Sequence, residues 1–194
     1  MSDIHNSSEI VQNAIAAGTK TLQSLARLDA QIAQAADLVT ECLQRGNKLL
    51  VCGNGGSAAD AADFTTEFTC RFMEDRRPYP AMNLSEGGSL ITAVGNDYSF
   101  EEIFARQVRA FGKSGDVFVA ISTSGKSANI ERALQEAKRG GLKAIALLGR
   151  DGGSAKTIAD IDLIVAGDVT ARIQEAHKFL LHVICEIVDA RLPK

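Results

Sequence analysis

Apolar residues recur at two different spacings along the chain. From residue 8 to residue 45 they return every three or four positions, as in an amphipathic helix, and Gly46 then provides a stop. A break near Leu28–Asp29 divides this arm into two predicted helices. The arm either covers the chain's own sheet or packs its apolar stripe against another subunit. We favour the second role, because the strands that follow already have helices to cover them.

Beyond Lys48, short apolar runs rich in β-branched residues alternate with helical stretches. The runs predict strands at 48–53, 81–84, 116–121, 143–148 and 161–166. Helices are predicted at 57–73, 88–94, 99–111, 127–139 and 170–191, with an interruption at 95–97 and a short helix after the turn at 149–153. Strands separated by helices form a parallel sheet that is covered on both faces.

The alternation predicts one α/β domain over residues 1–194. We expect a three-layer α-β-α sandwich around a parallel five-stranded, flavodoxin-like sheet. The helical arm would occupy residues 8–45 and the α/β core residues 46–194.

Composition and charge narrow the possible partners. The net charge is −3, aromatic residues make up 5% of the 194 positions, and Trp is absent, which argues against a nucleic-acid partner. No apolar run reaches the ~18 residues of a spanning helix. The segment Met1–His5 has no basic region followed by an apolar stretch, so no signal peptide is expected.

The four cysteines form no CxxC pair, and each falls in an apolar periodic segment. This pattern predicts buried, reduced thiols rather than a disulfide framework or a cysteine zinc site, and hence a cytoplasmic protein. The residues are Cys42, Cys52, Cys70 and Cys185.

Two polar turns follow predicted strands, and each precedes a predicted helix. The first is Gly53-Asn54-Gly55-Gly56-Ser57, which matches neither GxGxxG nor GxxxxGK[ST]. The second, residues 122–127, reads Ser-Thr-Ser-Gly-Lys-Ser and carries four hydroxyls. Hydroxyls and free N–H groups at a helix start can hold a monophosphate without a metal. Ordinary turn chemistry with a serine N-cap is the alternative for one such turn, and it is weaker for two.

Three segments carry a family resemblance: GNGGSAAD at 53–60, ISTSGKSAN at 121–129 and ARIQEAHKFLLH at 171–182. Together they resemble the sugar isomerase (SIS) domain family and, within it, the phosphoheptose isomerases, over a stretch from about Ile10 to Leu192. The resemblance implies an aldose–ketose isomerase that converts sedoheptulose 7-phosphate to D-glycero-D-manno-heptose 7-phosphate through an enediol. This reaction serves bacterial heptose and lipopolysaccharide precursor synthesis. A homotetramer with sites near subunit contacts is also implied.

The resemblance also implies the residues of the site. The second turn would hold the sugar phosphate and the first turn the sugar chain, while Glu67 and His182 would be the catalytic acid/base pair. By position alone, Glu67 is typical of a solvated helix surface and His182 of a packed or interfacial histidine. The implied substrate-binding residues are Asn54, Gly55, Gly56, Ser57, Glu67, Asn96, Asp97, Ser122, Thr123, Ser124, Ser127 and Gln174.

A zinc ion is implied as well, with Asp63, Glu67, Gln174 and His182 as ligands. Asp63 and Glu67 share a helix face, whereas Gln174 and His182 are separated by about 12 Å of helix rise. The family has His at the position of Asp63, and this set of donors favours harder ions such as Mn²⁺ or Mg²⁺. The identity of the metal is therefore not determined by the sequence, and catalysis without a metal is an alternative. His177 points away from His182 by a rotation of about 140° and is predicted to be structural or to support a ligand residue from behind.

Two other functions compete with this hypothesis. A non-catalytic SIS scaffold that binds the replication initiator is one, although retention of Glu67 and His182 favours an enzyme and Asp63 weakly opposes it. A SIS isomerase for another sugar phosphate is the other, because residues of the turns do not measure sugar length.

Overall fold

The computed structural model describes residues 7–193. The expectation for Met1–His5 and the two ends of the predicted 1–194 domain lie outside these residues. The helices and strands, in chain order, are α1 (Ser7–Ser24), α2 (Asp29–Gln44), β1 (Leu49–Gly53), α3 (Gly56–Thr69), β2 (Ala81–Asn83), α4 (Gly88–Asp97), α5 (Ala105–Phe111), β3 (Val117–Ser122), α6 (Ala128–Arg139), β4 (Lys143–Gly149), β5 (Ile161–Val165) and α7 (Thr170–Asp189). Short 3₁₀ turns lie at Leu25–Leu28, Phe100–Glu102 and Gly153–Ala155.

The sheet has five parallel strands in the order β2-β1-β3-β4-β5. This is the flavodoxin-like order, so the predicted fold class is confirmed. Every residue of β1 and β3 is buried, as expected for inner strands covered on both faces. The reversal of strand order beside β1 creates a crevice between β1 and β3 at their carboxyl ends.

Alternate residues of each strand supply two separate apolar layers. In β1, Leu49 and Val51 join a cluster with α2, α3 and α7, whereas Leu50 and Cys52 join a cluster with α4, α5 and α6. The sheet thus lies between two helical layers, which is the predicted sandwich. No helix within residues 7–193 is both long and apolar enough to cross a membrane.

The N-terminal arm has two different roles. The predicted break is confirmed, since a 3₁₀ turn at Leu25–Leu28 separates α1 from α2. Against the stated preference, α2 covers the chain's own sheet: Ile32, Ala36 and Val39 are buried in the same cluster as β1. On this face of the sheet, α3 and α7 leave an area of the strands uncovered, and α2 packs there. No residue of α1 is buried, so α1 does not belong to the core of the single chain.

Several predicted boundaries were wrong. The helix predicted at 99–111 begins only at Ala105, after a 3₁₀ turn at Phe100–Glu102. Residues 95–97 do not interrupt the helix: α4 continues to Asp97. One glycine within a helix costs only about 1 kcal/mol of stability, so Gly95 does not end it. Helix α3 ends at Thr69 rather than at residue 73. At this end the Arg76 guanidinium donates hydrogen bonds to the backbone carbonyls of Glu67 and Phe68, which the helix leaves free. All four cysteines are free, but Cys70, just past this end, is exposed rather than buried.

Candidate active site

The two polar turns lie side by side at the carboxyl edge of the sheet. They are neighbours because β1 pairs with β3, with Gly53 opposite Ile121. The side chains of Asn54 and Asn129 join them through two reciprocal amide hydrogen bonds, each 2.9 Å long. Asn129 was not among the predicted site residues, although it belongs to the ISTSGKSAN segment. It fixes the width of the crevice between the turns.

The second turn presents its hydroxyls around the start of α6. Ser122 Oγ accepts a hydrogen bond from the Gly125 N–H at 3.1 Å, and Ser124 Oγ accepts one from Lys126 at 3.2 Å. Ser127 occupies the N-cap position, yet its hydroxyl lies 3.3 Å from Ser122 Oγ and makes no capping bond to the helix. The first N–H groups of α6 are therefore left for a ligand such as a phosphate.

A glycine turn supports this loop from behind. Gly125 has φ +63°, and a Cβ there would lie 2.1 Å from the carbonyl oxygen of Gly152. The Ala155 N–H donates to the Gly125 carbonyl at 2.9 Å. Only glycine at position 125 permits both the left-handed backbone and the close approach. The turn around Gly152, which the sequence presented as a connection, thus holds the shape of the second turn.

Helices α3 and α7 run parallel, and their facing residues match in order along the two axes. At the first level Gly56 meets Gln174, whose amide nitrogen would lie 2.4 Å from a Cβ at position 56. At the next level Lys178 of α7 forms ion pairs with carboxylates of α3. The predicted residues Gly56, Asp63 and Gln174 therefore line one interhelical groove that begins at the first turn.

Glu67 and His182 lie farther along the same groove, and both are half-buried. Burial raises the pKa of the Cys185 thiol, one turn beyond His182, and the nearby charge of Glu67 raises it further. The His182 ring lies 6.0 Å, centroid to centroid, from that of Phe72, just past the end of α3. Their acid/base roles stay predictions.

Asn96 and Asp97 occupy the C-terminal end of α4, on the other helical layer. Both are exposed, and the Asn96 amide donates to the Asp97 carboxylate at 2.8 Å. Their contribution to substrate binding stays a prediction.

Lys178 is the main site residue that the sequence reasoning missed. Its ammonium lies 3.0 Å from Asp60 Oδ1 and also contacts Asp63 Oδ2. Partial burial alone would lower the pKa of Lys178, but the Asp63 and Asp60 carboxylates outweigh it and raise that pKa above its ordinary value. A signal was present in the sequence, because Lys178 is four residues from both Gln174 and His182 and therefore shares their helix face.

The predicted zinc ligands do not fit a metal site in this arrangement. Gln174 lies beside Gly56, Asp63 is neutralised by Lys178, and His182 packs near Phe72, so the donors are spread along the groove. A divalent ion at Asp63 would stand next to the Lys178 ammonium, and the like charges repel. Among residues 7–193, no three His, Cys, Asp or Glu side chains converge as a metal site would require.

His177 lies behind the groove as a fully buried residue. Its exposed fraction is 0%, and neither ring nitrogen has a hydrogen-bond partner within the part of the chain that the structure describes. Burial lowers its pKa to about 4, against smaller opposing effects of the Leu148 backbone and then of the Asp60 charge. The imidazole is therefore neutral at physiological pH, and the predicted structural placement of His177 is consistent with this.

These features define an α/β protein with a polar crevice at the switch point of a flavodoxin-like sheet. Comparison with known proteins assigns it to a family. The profile of the SIS domain matches residues 11–149. The chain belongs to the SIS domain family.

Relatives at 44% and 50% identity carry the name phosphoheptose isomerase. The chain is 50% identical to the phosphoheptose isomerase of Geobacter sulfurreducens over 91% of its own length and 94% of the relative's. It is 44% identical to that of Clostridium acetobutylicum, covering 94% and 92% of the two chains. Among solved structures, it resembles phosphoheptose isomerase GmhA from Neisseria gonorrhoeae, with a TM-score of 0.88, 42% identity, and 95% and 100% of the two chains covered. The Francisella tularensis phosphoheptose isomerase gives a TM-score of 0.91 at 39% identity, over 95% and 99% of the chains.

Proposed function

We propose that this protein is a phosphoheptose isomerase, an aldose–ketose isomerase that converts sedoheptulose 7-phosphate to D-glycero-D-manno-heptose 7-phosphate. The observation that carries the proposal is its 50% identity to such an isomerase over nearly the full length of both chains. The match covers 91% of this chain and 94% of the relative. The reaction would take place in the cytoplasm and supply heptose for lipopolysaccharide precursors.

The phosphate binds at the second turn in this proposal. The hydroxyls of Thr123, Ser124 and Ser127 are half-buried around the uncapped start of α6, where backbone N–H groups and the helix dipole favour an anion. The sugar chain then extends past Asn54 and Ser57 toward the groove between α3 and α7.

Proton transfer falls to Glu67 and His182. Isomerisation requires one group that moves a proton between C1 and C2 and a second that moves a proton between the two oxygens, through an enediol. In this proposal Glu67 serves the carbons and His182 the oxygens. Both side chains are half-buried, on the two helices of the groove. A carboxylate and an imidazole are the side chains most often used for such steps.

The active form is proposed to be a homotetramer. Helix α1 is 18 residues long and has no buried residue, although helices in proteins gain most of their stability from packing an amphipathic face. Its side chains Val11, Ile15 and Leu22 form an apolar stripe that is 53%, 56% and 38% exposed. A second copy of the chain is the proposed occupant of this stripe.

The substitution Glu67→Gln tests the assignment. We expect turnover of sedoheptulose 7-phosphate to fall by at least about 100-fold, because the amide cannot accept the proton. Interconversion of the two heptose phosphates is followed directly on purified protein, and phosphate binding and the unfolding midpoint should not change. Glu186→Gln, on an exposed position of α7, is the control and should keep full activity.

The outcomes separate the competing functions. Full activity of the Glu67→Gln protein would remove Glu67 from the mechanism. Turnover of a different sugar phosphate would keep the isomerase class and change the substrate. Capture of a replication initiator by a wild-type protein that turns over no heptose phosphate would favour the scaffold hypothesis.

A further inference from the structure

Lys178 links the two helices of the groove at a point where two negative charges face it. The side chain of Asp60 is 3% exposed, that of Asp63 60% and that of Lys178 30%. Burying a carboxylate such as that of Asp60 without a positive partner is strongly unfavourable. The Lys178 ammonium supplies that partner, so the cluster is neutralised to within one charge by the chain itself.

The Lys178 ammonium belongs to a residue that lies between two of the predicted metal ligands, Gln174 and His182, on α7. Lys178 lies one helical turn after Gln174 and one turn before His182, on the same face of α7. The residue that the family resemblance leads one to expect at position 63 is a histidine, a neutral ligand. Here an aspartate occupies that position, and it pairs with a lysine. The Asp63–Lys178 pair is neutral by itself, and the cluster with Asp60 keeps one net negative charge.

The same ammonium faces a space large enough for a ligand. Lys178, Gln174 and Asp60, together with Ala171 and Glu175, line a cavity of about 450 Å³. An ammonium has three N–H donors, and Asp60 and Asp63 engage two of them. The third remains for an oxygen of a bound molecule.

We propose that the Lys178 ammonium is the resident cation of this active site, in place of a divalent metal, and that it stabilises the enediolate oxygen formed during isomerisation. The second part rests on the proposed function; the first does not. Lys178 keeps its proton throughout and acts by charge and hydrogen bonding, as donors aimed at a developing oxyanion do.

Metal analysis of the wild-type protein tests the first part without reference to activity. Protein purified without chelator is analysed by inductively coupled plasma mass spectrometry, and its melting temperature is measured with added Zn²⁺, Mn²⁺, Mg²⁺ or EDTA. We expect substoichiometric metal and an unchanged melting temperature in all four. One tightly held metal ion per chain, removed by EDTA with a fall in melting temperature, would overturn the proposal and restore the predicted metal site.

Variants at position 178 test the second part. Lys178→Met keeps the side-chain volume and removes the charge, so kcat should fall by roughly 100-fold, with a smaller change in KM. Lys178→Arg keeps the charge and should recover part of the loss. Lys113→Met, at an exposed loop position, is the control and should match wild type. A Lys178→Met protein with full kcat would show that Lys178 only holds the helices together.

The double variant Asp63→His, Lys178→Met provides the converse experiment. It removes the internal cation and supplies a neutral ligand, so Zn²⁺ should now raise its melting temperature. No response to Zn²⁺ would contradict the claim that Lys178 excludes the metal. If the wild-type protein turned over no heptose phosphate, the proposed function would fail, whereas these metal-binding measurements would still decide which cation the site uses.

Discussion

At the scale of single residues, the burial of His177 makes the stability of the protein depend on pH. The ring is completely buried and both of its nitrogens lack partners in the described chain, so folding favours its neutral form. Its pKa is lowered from 6.5 to about 4, chiefly by burial. The unfolded chain therefore binds a proton more readily than the folded one between these pH values. Stability contributed by the neutral ring is present above pH 6.5 and is lost as pH falls toward 4.

His177→Leu should flatten this dependence. The wild-type protein is expected to lose on the order of 3 kcal/mol more of its unfolding free energy than the variant as pH falls from neutral to about 4. Urea denaturation at a series of pH values measures both profiles. Parallel profiles would mean that His177 is not held neutral in the folded protein.

The burial of His177 follows partly from the sequence and partly from packing. Helical rotation alone separates it from the face of Gln174 and His182, and this much was predicted. Nothing in the sequence indicates that its ring would lie near Asp60, because that neighbour comes from a different helix.

At the scale of elements, the pairing of α3 with α7 begins at one glycine. Gly56 is the first residue of α3, and its missing side chain leaves the space that the Gln174 amide occupies. Gly88 is the first residue of α4, and a Cβ at that position would have no neighbouring atom within 4 Å. The two positions are therefore a matched pair: the same helical position with different surroundings.

Gly56→Ala should lower isomerase activity by about 10- to 100-fold, because the new methyl group displaces Gln174 from the groove. Its unfolding free energy should change by less than about 1 kcal/mol, since Gln174 is a flexible side chain that can move and alanine favours the helix. Gly88→Ala should keep full activity. Steady-state kinetics and urea denaturation provide the two measurements, and equal activity of both variants would contradict the assigned position of Gln174.

At the scale of the whole molecule, α1 is a helix with no residue buried within the single chain. It contacts α7 through the Arg172 side chain, which donates to the Ala14 carbonyl at 3.0 Å, while Val11, Ile15 and Leu22 face outward. An apolar stripe of this kind is typical of an interaction surface.

Ile15→Glu should dissociate the proposed tetramer into smaller species and reduce activity, because it places a charge in the apolar stripe. Asn13→Glu adds the same charge on another face of α1 and serves as the control. Light scattering coupled to size-exclusion chromatography measures the mass of each protein. A monomeric wild-type protein would contradict the assembly, and unchanged assembly of the Ile15→Glu protein would place the interface elsewhere.

The sequence by itself determined the strand-turn-helix units, the parallel sheet and the two turns, because these depend on periodicity and backbone preferences within a few residues. Tertiary structure alone decided that α2 belongs to the core while α1 does not, and that Lys178 meets Asp63 across 115 positions of sequence. Such a contact depends on how two distant helices pack and in which register, and neither is encoded in local spacing. For that reason the family resemblance implied a metal ligand at position 63, whereas the contact of Asp63 with the Lys178 ammonium became visible only in the folded chain.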